Sequence, residues 1–511
     1  MFKSLAKVGS NTLLSRILGF VRDLVLAHVF GAGAATDAFF VAFKIPNFMR
    51  RLFAEGAFSL AFVPVLSEYK EKRSFAELKQ FVDHVAGTLG AVLLLVTFLG
   101  VLGAPLLVML FAPGFIGDPE KLALAGEMLR LTFPYLLFIS LTAFAGGILN
   151  THGRFGVPAF TPVLLNISLI SCALWLAPQM EQPVVALAWG VFIAGLAQFL
   201  FQAPFLHQLK LLPRFSFAPR DEGVRRIGRL MLPALFGVSV TQLNLLLDTL
   251  IASFLVSGSI SWLYYSDRLM EFPVGVLGVA LGTVILPSLS KKHAADSPGA
   301  FSQTLDWGLR WTLLLGLPAA VGLFLLAGPM IATLFQSDVF QASDVMMSRR
   351  SLMAYSLGLV PFILIKVLAP GYYSRQDTRT PVRIAVIAMV SNMVMNLILV
   401  FPLAHAGLAL ATTLSASLNA FLLFQGLRRD AVYRPPAGWK ALLARGLIAS
   451  LLMGGVLYWA AGPVEGWLVA DTWARVWRLL GLILLGGVAY FASLLLLGIR
   501  LRHFRSHWQG P

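Results

Sequence analysis

The sequence predicts an all-α polytopic membrane protein of fourteen transmembrane helices: two six-helix lobes related by a pseudo-twofold along the membrane normal, plus two extra C-terminal helices. Three observations carry this prediction. Of 511 residues, 58% are hydrophobic and 13% charged, about half the charge of a soluble domain. Fourteen spans of roughly 20 residues would use about 280 positions, so almost nothing is left for a globular enzyme domain. Basic residues gather in alternate loops, and the chain resembles itself at an offset of about 222 residues. A disordered chain is excluded by the same hydropathy, and a disulfide scaffold by the single cysteine, Cys172, in an apolar run.

The spans follow in order. Lys3 and Lys7 precede an apolar stretch, 8–29, that resembles a signal peptide until Arg16, Arg22 and Asp23 interrupt it; without a small-residue cleavage site it reads as a retained first helix. The second, 34–65, carries Asp37, Lys44, Arg50, Arg51 and Glu55 and is interrupted by Pro46. Lys70, Lys72, Arg73 and Lys79 follow it, then spans 84–111 and 122–149, the latter with Gly146-Gly147. Spans 157–177 and 184–206 complete the first lobe, 1–207. A linker, 208–225, rich in Pro and Arg, leads to the second lobe, 226–430.

That lobe holds 226–255 with Asp248, 262–288 with Asp267, Arg268 and Glu271, 304–334, 346–373 with Lys366, 381–402 with Asn392 and Asn396, and 404–427 with Thr412. Spans 440–461 and 476–499 lie in the remainder, 431–511, which ends in a basic tail with Arg500, Arg502 and Arg505. With the N-terminus inside, basic residues concentrate in inward loops, and Lys121, Arg349 and Arg350 are the main outward ones. The positive-inside rule therefore puts both termini in the cytoplasm. Dispersal over short loops argues against a nucleic-acid surface.

The repeat pairs Phe62-Val63-Pro64-Val65-Leu66-Ser67 with Ile285-Leu286-Pro287-Ser288-Leu289-Ser290. It also pairs Asn150-Thr151-His152-Gly153-Arg154 with Tyr372-Tyr373-Ser374-Arg375-Gln376. Six spans per half give both halves the same orientation, and such parallel repeats place a site at their interface.

An ionisable group in a span costs about 2.5–3.5 kcal/mol or more unless it meets water or a partner. Asp37, Lys44 and Arg51 recur every seventh residue, near one helical face. Arg–carboxylate pairs could lock helices together, but arginines outnumber the carboxylates nearby. Guanidinium binds phosphate and carboxylate through a planar fork and keeps its charge at every relevant pH. The expectation is a hydrated cationic cavity for an anionic substrate. Arg16, Arg22, Arg50 and Arg268 would bind it, with Ser15, Asp23, Asp37, Glu55, Asp267 and Lys366 in supporting or gating roles.

Asp248, Asn392, Asn396 and Thr412 supply one carboxylate and neutral oxygens. They suit either interhelical hydrogen bonds or a Na⁺ ion. No outward loop is long enough for a catalytic domain, and no phosphate-binding glycine loop is present. The reading is therefore a transporter and not an enzyme, without a cofactor, driven by Na⁺, the membrane potential or a coupled reaction.

Three long motifs carry a family resemblance: Ser15-Arg16-Ile17-Leu18-Gly19-Phe20-Val21-Arg22-Asp23; Thr36-Asp37-Ala38-Phe39-Phe40 through Pro46-Asn47-Phe48-Met49-Arg50-Arg51 to Ala54-Glu55-Gly56-Ala57-Phe58; and Tyr264-Tyr265-Ser266-Asp267-Arg268-Leu269-Met270-Glu271-Phe272-Pro273. Over essentially its full length the chain resembles the MurJ (MviN) family of bacterial lipid II flippases. The resemblance implies the fold of the multidrug/oligosaccharidyl-lipid/polysaccharide exporter superfamily, in the inner membrane. It implies flipping of the undecaprenyl-diphosphate-linked peptidoglycan precursor to the periplasmic leaflet by alternating access. Functional residues would be Arg16, Arg22, Asp37, Arg50, Glu55 and Arg268, and helices 13 and 14 would form a groove for the polyprenyl tail. Some members bind Na⁺ at positions matching Asp248, Asn392, Asn396 and Thr412.

The partners expected are lipid II, membrane lipids, and cell-wall synthesis or division proteins, around a monomer. The alternatives are an exporter of another polyprenyl-linked saccharide or a multidrug antiporter of the same superfamily, a lipid-modifying enzyme, or a scaffold for synthases.

Overall fold

The computed structural model describes residues 2–499, and among them there are helices and connections but no strand. Arg500, Arg502 and Arg505, expected in the basic tail, lie outside the described residues, as do the side chains of Lys3, Lys7 and Glu55. Eleven of the described helices are long and apolar enough to cross a membrane. The helices of the first, second and seventh expected spans, which bear many of the charges singled out above, are not among the eleven.

The chain packs as two units, Met1–Ser261 and Trp262–Pro511. In the first, α1 is Phe2–Phe30. α2 begins as Ala34–Arg50, passes through a π-helical stretch, Arg51–Phe58, and continues as Ser59–Lys72. α3 comprises Phe75–Leu102 and Ala104–Phe111. Then come α4, Pro119–Thr151, and α5, Gly156–Gln179, followed by α6, Val185–Gln208, and α7, Glu222–Ala252. α1 packs on α5, α4 on α2 and α6, and α7 along α2.

Stacked rings of Phe58, Phe62 and Phe81, with Phe144 tilted against them, fill the core of this unit. The Gly146-Gly147 pair serves close packing. A Cβ at Gly147 would stand 3.1 Å from the Phe62 ring, and one at Gly146 3.4 Å from Pro158.

The second unit takes α8, Ser259–Ala294, after its first turn. α9 comprises Pro298–Leu325 and Ala327–Phe335. α10 is Ala342–Tyr373, α11 Arg379–Leu403, α12 His405–Arg429, α13 Trp439–Ala461 and α14 Thr472–Leu496. α11 pairs with α12, α10 with α12, and the α13–α14 hairpin lies on α9. Tyr490 of α14 donates its hydroxyl to the Leu314 carbonyl of α9 at 2.6 Å.

Packing thus groups α7 with the first unit, whereas the sequence repeat starts a new half there. Helix ends also run past the apolar spans: α2 reaches Lys72 and α8 reaches Ala294. These last turns are polar and continue by ordinary helix propensity, which hydropathy does not register.

Repeat geometry recurs inside each unit. α8 has a π-helical stretch, Val274–Gly278, where the repeat aligns it with that of α2. Each is followed by an in-helix proline, Pro64 or Pro287, and by a serine hydroxyl bonded one turn back, Ser67 to the Val63 carbonyl and Ser290 to the Leu286 carbonyl. Helix ends match too: α4 closes by Arg154 N–H donating to the Leu149 carbonyl past Gly153 at φ 76°, and α10 by Asp377 N–H to the Tyr372 carbonyl past Gln376 at φ 61°. These are left-handed C-caps, natural for Gly and costly for Gln.

Candidate functional site

Arg22 is held by a carboxylate and an amide. Adjacent residues on a helix point about 100° apart, yet the long Arg22 side chain folds back on Asp23, donating from Nε and Nη2 to Oδ1 at 3.0 and 2.8 Å. Its Nη1 donates to Asn166 Oδ1 of α5 at 3.0 Å, and Asn166 Nδ2 donates to the Ser15 carbonyl at 3.0 Å. Asn166 therefore fixes the guanidinium plane and clamps α1 to α5. The Arg22 side chain keeps 11% of its surface and Asp23 3%. The Ser15 carbonyl, Arg22 and Asp23 thus lie around Asn166, while Arg16 is exposed on α1. Sequence reasoning missed Asn166, because an Asn in an apolar helix gives no sign of what it faces.

Asp37 opens α2 at the end remote from the linker. Its Oδ2 accepts from Lys121 Nζ at 3.2 Å and Gly258 N at 2.7 Å, and its Oδ1 from Ser261 N at 2.9 Å and Ser261 Oγ at 2.6 Å. Lys121 also donates to Ser257 Oγ at 3.2 Å and lies 4.3 Å from the Phe115 ring. One buried carboxylate therefore fastens α2, the start of α4 and the α7–α8 turn. Lys121, expected as an outward loop cation, is buried as the counter-charge of Asp37.

One helical face below, Lys44 Nζ donates to Thr249 Oγ1 of α7 at 2.8 Å, so the seventh-residue stripe does meet α7. Further along, Arg50 Nε donates to Asn47 Oδ1 at 2.9 Å. The side chain of Glu55 lies outside the described residues.

In the second unit, Arg268 of α8 donates from Nη1 to Glu271 Oε2 at 2.7 Å, and its guanidinium stands 4.9 Å from the Tyr264 ring centroid. The pair and the ring hold the fork while a third of the side chain stays exposed, 34%. Asp267 is half-buried beside it. Lys366 of α10 is exposed, its stem lying over the π-helical turn of α8, where a Cβ on Gly278 would stand 2.6 Å from Lys366 Cδ. Asn392 and Asn396 are one turn apart and buried on α11, and the Thr412 hydroxyl donates to the Leu408 carbonyl at 3.0 Å. Asp248 is half-buried on α7. Among the described residues no group of three His, Cys, Asp or Glu side chains could hold a metal.

A cluster that the sequence did not flag lies at the base of α9. Asp306 Oδ1 accepts from Tyr433 Oη and Trp439 Nε1, each at 2.7 Å, and Oδ2 from Arg310 Nε at 2.5 Å. Burial and the Asp306 carboxylate push the Tyr433 hydroxyl well above the ordinary tyrosine range, so it stays a donor. The cluster fastens the start of α13 to α9.

A family model described as lipid II flippase MurJ matches residues 26–477. A probable lipid II flippase MurJ of Haemophilus influenzae is 51% identical over 505 residues, covering 96% of this chain and 99% of that one. A lipid II flippase MurJ of Burkholderia cenocepacia is 44% identical over 511 residues, covering 99% of each. A solved structure of lipid II flippase MurJ in an inward closed conformation matches with TM-score 0.81 at 28% identity, covering 95% of this chain and 97% of that one. An inward-facing multidrug resistance transporter of the MATE family in the MOP superfamily matches with TM-score 0.64 at 16% identity, covering 84% of this chain and 98% of that one, which is a likeness of fold.

Proposed function

The chain belongs to the MurJ family of lipid II flippases, and from that membership we propose that it moves lipid II from the cytoplasmic to the periplasmic leaflet of the bacterial inner membrane by alternating access. The observation that carries the proposal is the Arg22–Asp23–Asn166 cluster. A permanently charged guanidinium, oriented by a carboxylate and an amide inside a membrane bundle, is suited to a diphosphate and poorly suited to a cationic drug. Arg268, braced by Glu271 and Tyr264, supplies a second such fork, with Arg16 and Arg50 completing the set. The molecule carried leaves unchanged, so no catalytic residue is assigned.

Orientation follows the charge. The polar helix ends at Lys70, Lys72, Lys291 and Lys292 and the linker arginines face the cytoplasm. The Asp37 latch then lies on the periplasmic side. A ligand can drive a conformational change only by binding one state better than the other. An anion held more tightly by the Arg22 fork in one state than in the other supplies that difference. The protein acts as a monomer, with the α13–α14 hairpin receiving the polyprenyl tail. Na⁺ at Asp248, Asn392, Asn396 and Thr412, or the membrane potential, supplies the energy.

The test is reconstitution with labelled lipid II and a leaflet-accessibility readout. Arg22→Ala and Arg268→Ala are each expected to lower flipping at least tenfold while the variants insert normally, with the lipid recovered intact. Normal flipping by both variants, or chemical conversion of the lipid, overturns the reading.

A further inference from the structure

The connection between α6 and α7 is not a free loop. From 211 to 218 it has neither helix nor turn and is tied as a strap to α3. Asp83 Oδ1 accepts from Arg214 N at 2.7 Å, the Asp83 carbonyl from Ser216 N at 3.3 Å, and Thr88 Oγ1 from Ala218 N at 3.2 Å. Gly87 makes room for the strap, since a Cβ there would stand 2.2 Å from the Ser216 backbone. Alternate residues of the strap are thus tied to α3. Phe215 is 60% and Phe217 66% exposed, with Leu212 at 41%, and one edge of the Phe215 ring rests beside Gly90 of α3. Lys210, Arg214 and Arg220 are exposed around them.

The level of the strap on α3 is informative. The exposed apolar stripe of α3 begins at Val92 and continues through Leu94, Leu95 and Phe98. At ~1.5 Å per residue it starts about 6–14 Å beyond the Asp83–Thr88 contacts. That places the two phenylalanines at the boundary between headgroups and acyl chains, where aromatic rings flanked by basic residues are stable. The corresponding connection after α12 differs. Its aromatics, Tyr433 and Trp439, turn inward onto Asp306.

We propose that the strap binds an anionic phospholipid of the leaflet on the linker side. Lys210, Arg214 and Arg220 meet the headgroup phosphate, and Phe215 and Phe217 rest against the upper acyl chain. The side of the membrane rests on the orientation proposed above. The experiment reads lipid contact and not flipping, so the two can fail separately.

Full-length protein with Cys172→Ala and either Phe215→Cys or Phe217→Cys is spin-labelled in vesicles of phosphatidylcholine with phosphatidylglycerol, with Gln182→Cys in the α5–α6 loop as the aqueous control. Both strap labels are expected to be more accessible to oxygen than to a water-soluble nickel chelate, opposite to the control. Mass spectrometry of detergent-released protein is expected to show phosphatidylglycerol retained by the wild type, with about fivefold weaker retention for each of Arg214→Ala and Arg220→Ala. Strap labels as open to nickel as the control, unchanged retention in both arginine variants, or displacement of the lipid by inorganic phosphate at equal concentration overturns the proposal.

Discussion

At the scale of single residues, the Asp37–Lys121 pair is the most consequential contact. Both groups are buried, 1% and 5% exposed in their side chains. The carboxylate accepts three further bonds, from Gly258 N, Ser261 N and Ser261 Oγ. Removing one member of a buried pair costs about 3–5 kcal/mol because the other charge is stranded, whereas replacing both is often nearly neutral. Asp37→Asn is therefore expected to lower the thermal unfolding temperature in detergent and to raise thiol labelling at a cysteine placed at Ser257. Asp37→Asn with Lys121→Met is expected to recover most of the unfolding temperature but not the slow labelling, since the loop donors still lack their acceptor. Equal labelling of wild type and the double variant would refute the view that Asp37 holds the turn. Asp306 works in the same way at the base of α9. With Asp306→Ala, Tyr433, Trp439 and Arg310 all lose an acceptor, and the expected readout is faster proteolysis between α12 and α13.

At the scale of elements, α7 is clasped to α2 at its linker end by Arg226 donating to Glu68 at 2.8 Å, and to α3 by Asp221, which meets His84 Nδ1 at 2.9 Å. The bond from Arg226 holds the Glu68 carboxyl below its ordinary value. A depressed carboxylate stabilises the fold above its unfolded value, near 4.3, and that contribution fades as the pH falls through the folded value. Hydrogen exchange at the start of α7 is therefore expected to be flat from neutral to mildly acidic pH and to rise below about pH 4; Glu68→Gln should abolish the rise.

Much of this layer was legible in the sequence. Apolar runs placed the helices, and the Phe62–Ser67 and Ile285–Ser290 similarity marked positions where both units carry a π-helical stretch, a proline and a back-bonded serine. Charges inside spans identified Arg22, Asp37 and Arg268 because lipid makes any such residue conspicuous. Asn166, Lys121 and Ser261 were not legible. An Asn or Ser is tolerated anywhere in a bundle, and Lys121 sits just before its apolar run, where a lysine reads as an ordinary loop cation. Only the fold brings Asn166 to Arg22, 144 positions away, and Lys121 to Asp37, 84 positions away.

At the scale of the whole molecule, the two ends of α7 are held by interactions of different cost. The linker-side pair, Glu68 and Arg226, is exposed, so solvent and salt screen it and it contributes little. The Asp37 latch is buried and multiply bonded. Alternating access as proposed requires the α7–α8 turn to leave Asp37 once per cycle, so the latch sets the bias of the resting state. If so, preventing that departure must stop transport even though no substrate-binding residue is touched. Thr36 and Ser257 flank the latch without providing the carboxylate or its Gly258 and Ser261 donors. With Cys172→Ala, Thr36→Cys and Ser257→Cys joined by a short thiol-reactive cross-linker cleavable by reductant, flipping of labelled lipid II is expected to fall at least tenfold and to return on reduction. Each single-cysteine protein treated alike should keep its rate. Undiminished flipping in the cross-linked protein would mean that the turn stays on Asp37 throughout the cycle, and the latch would then be a structural clasp instead of a gate.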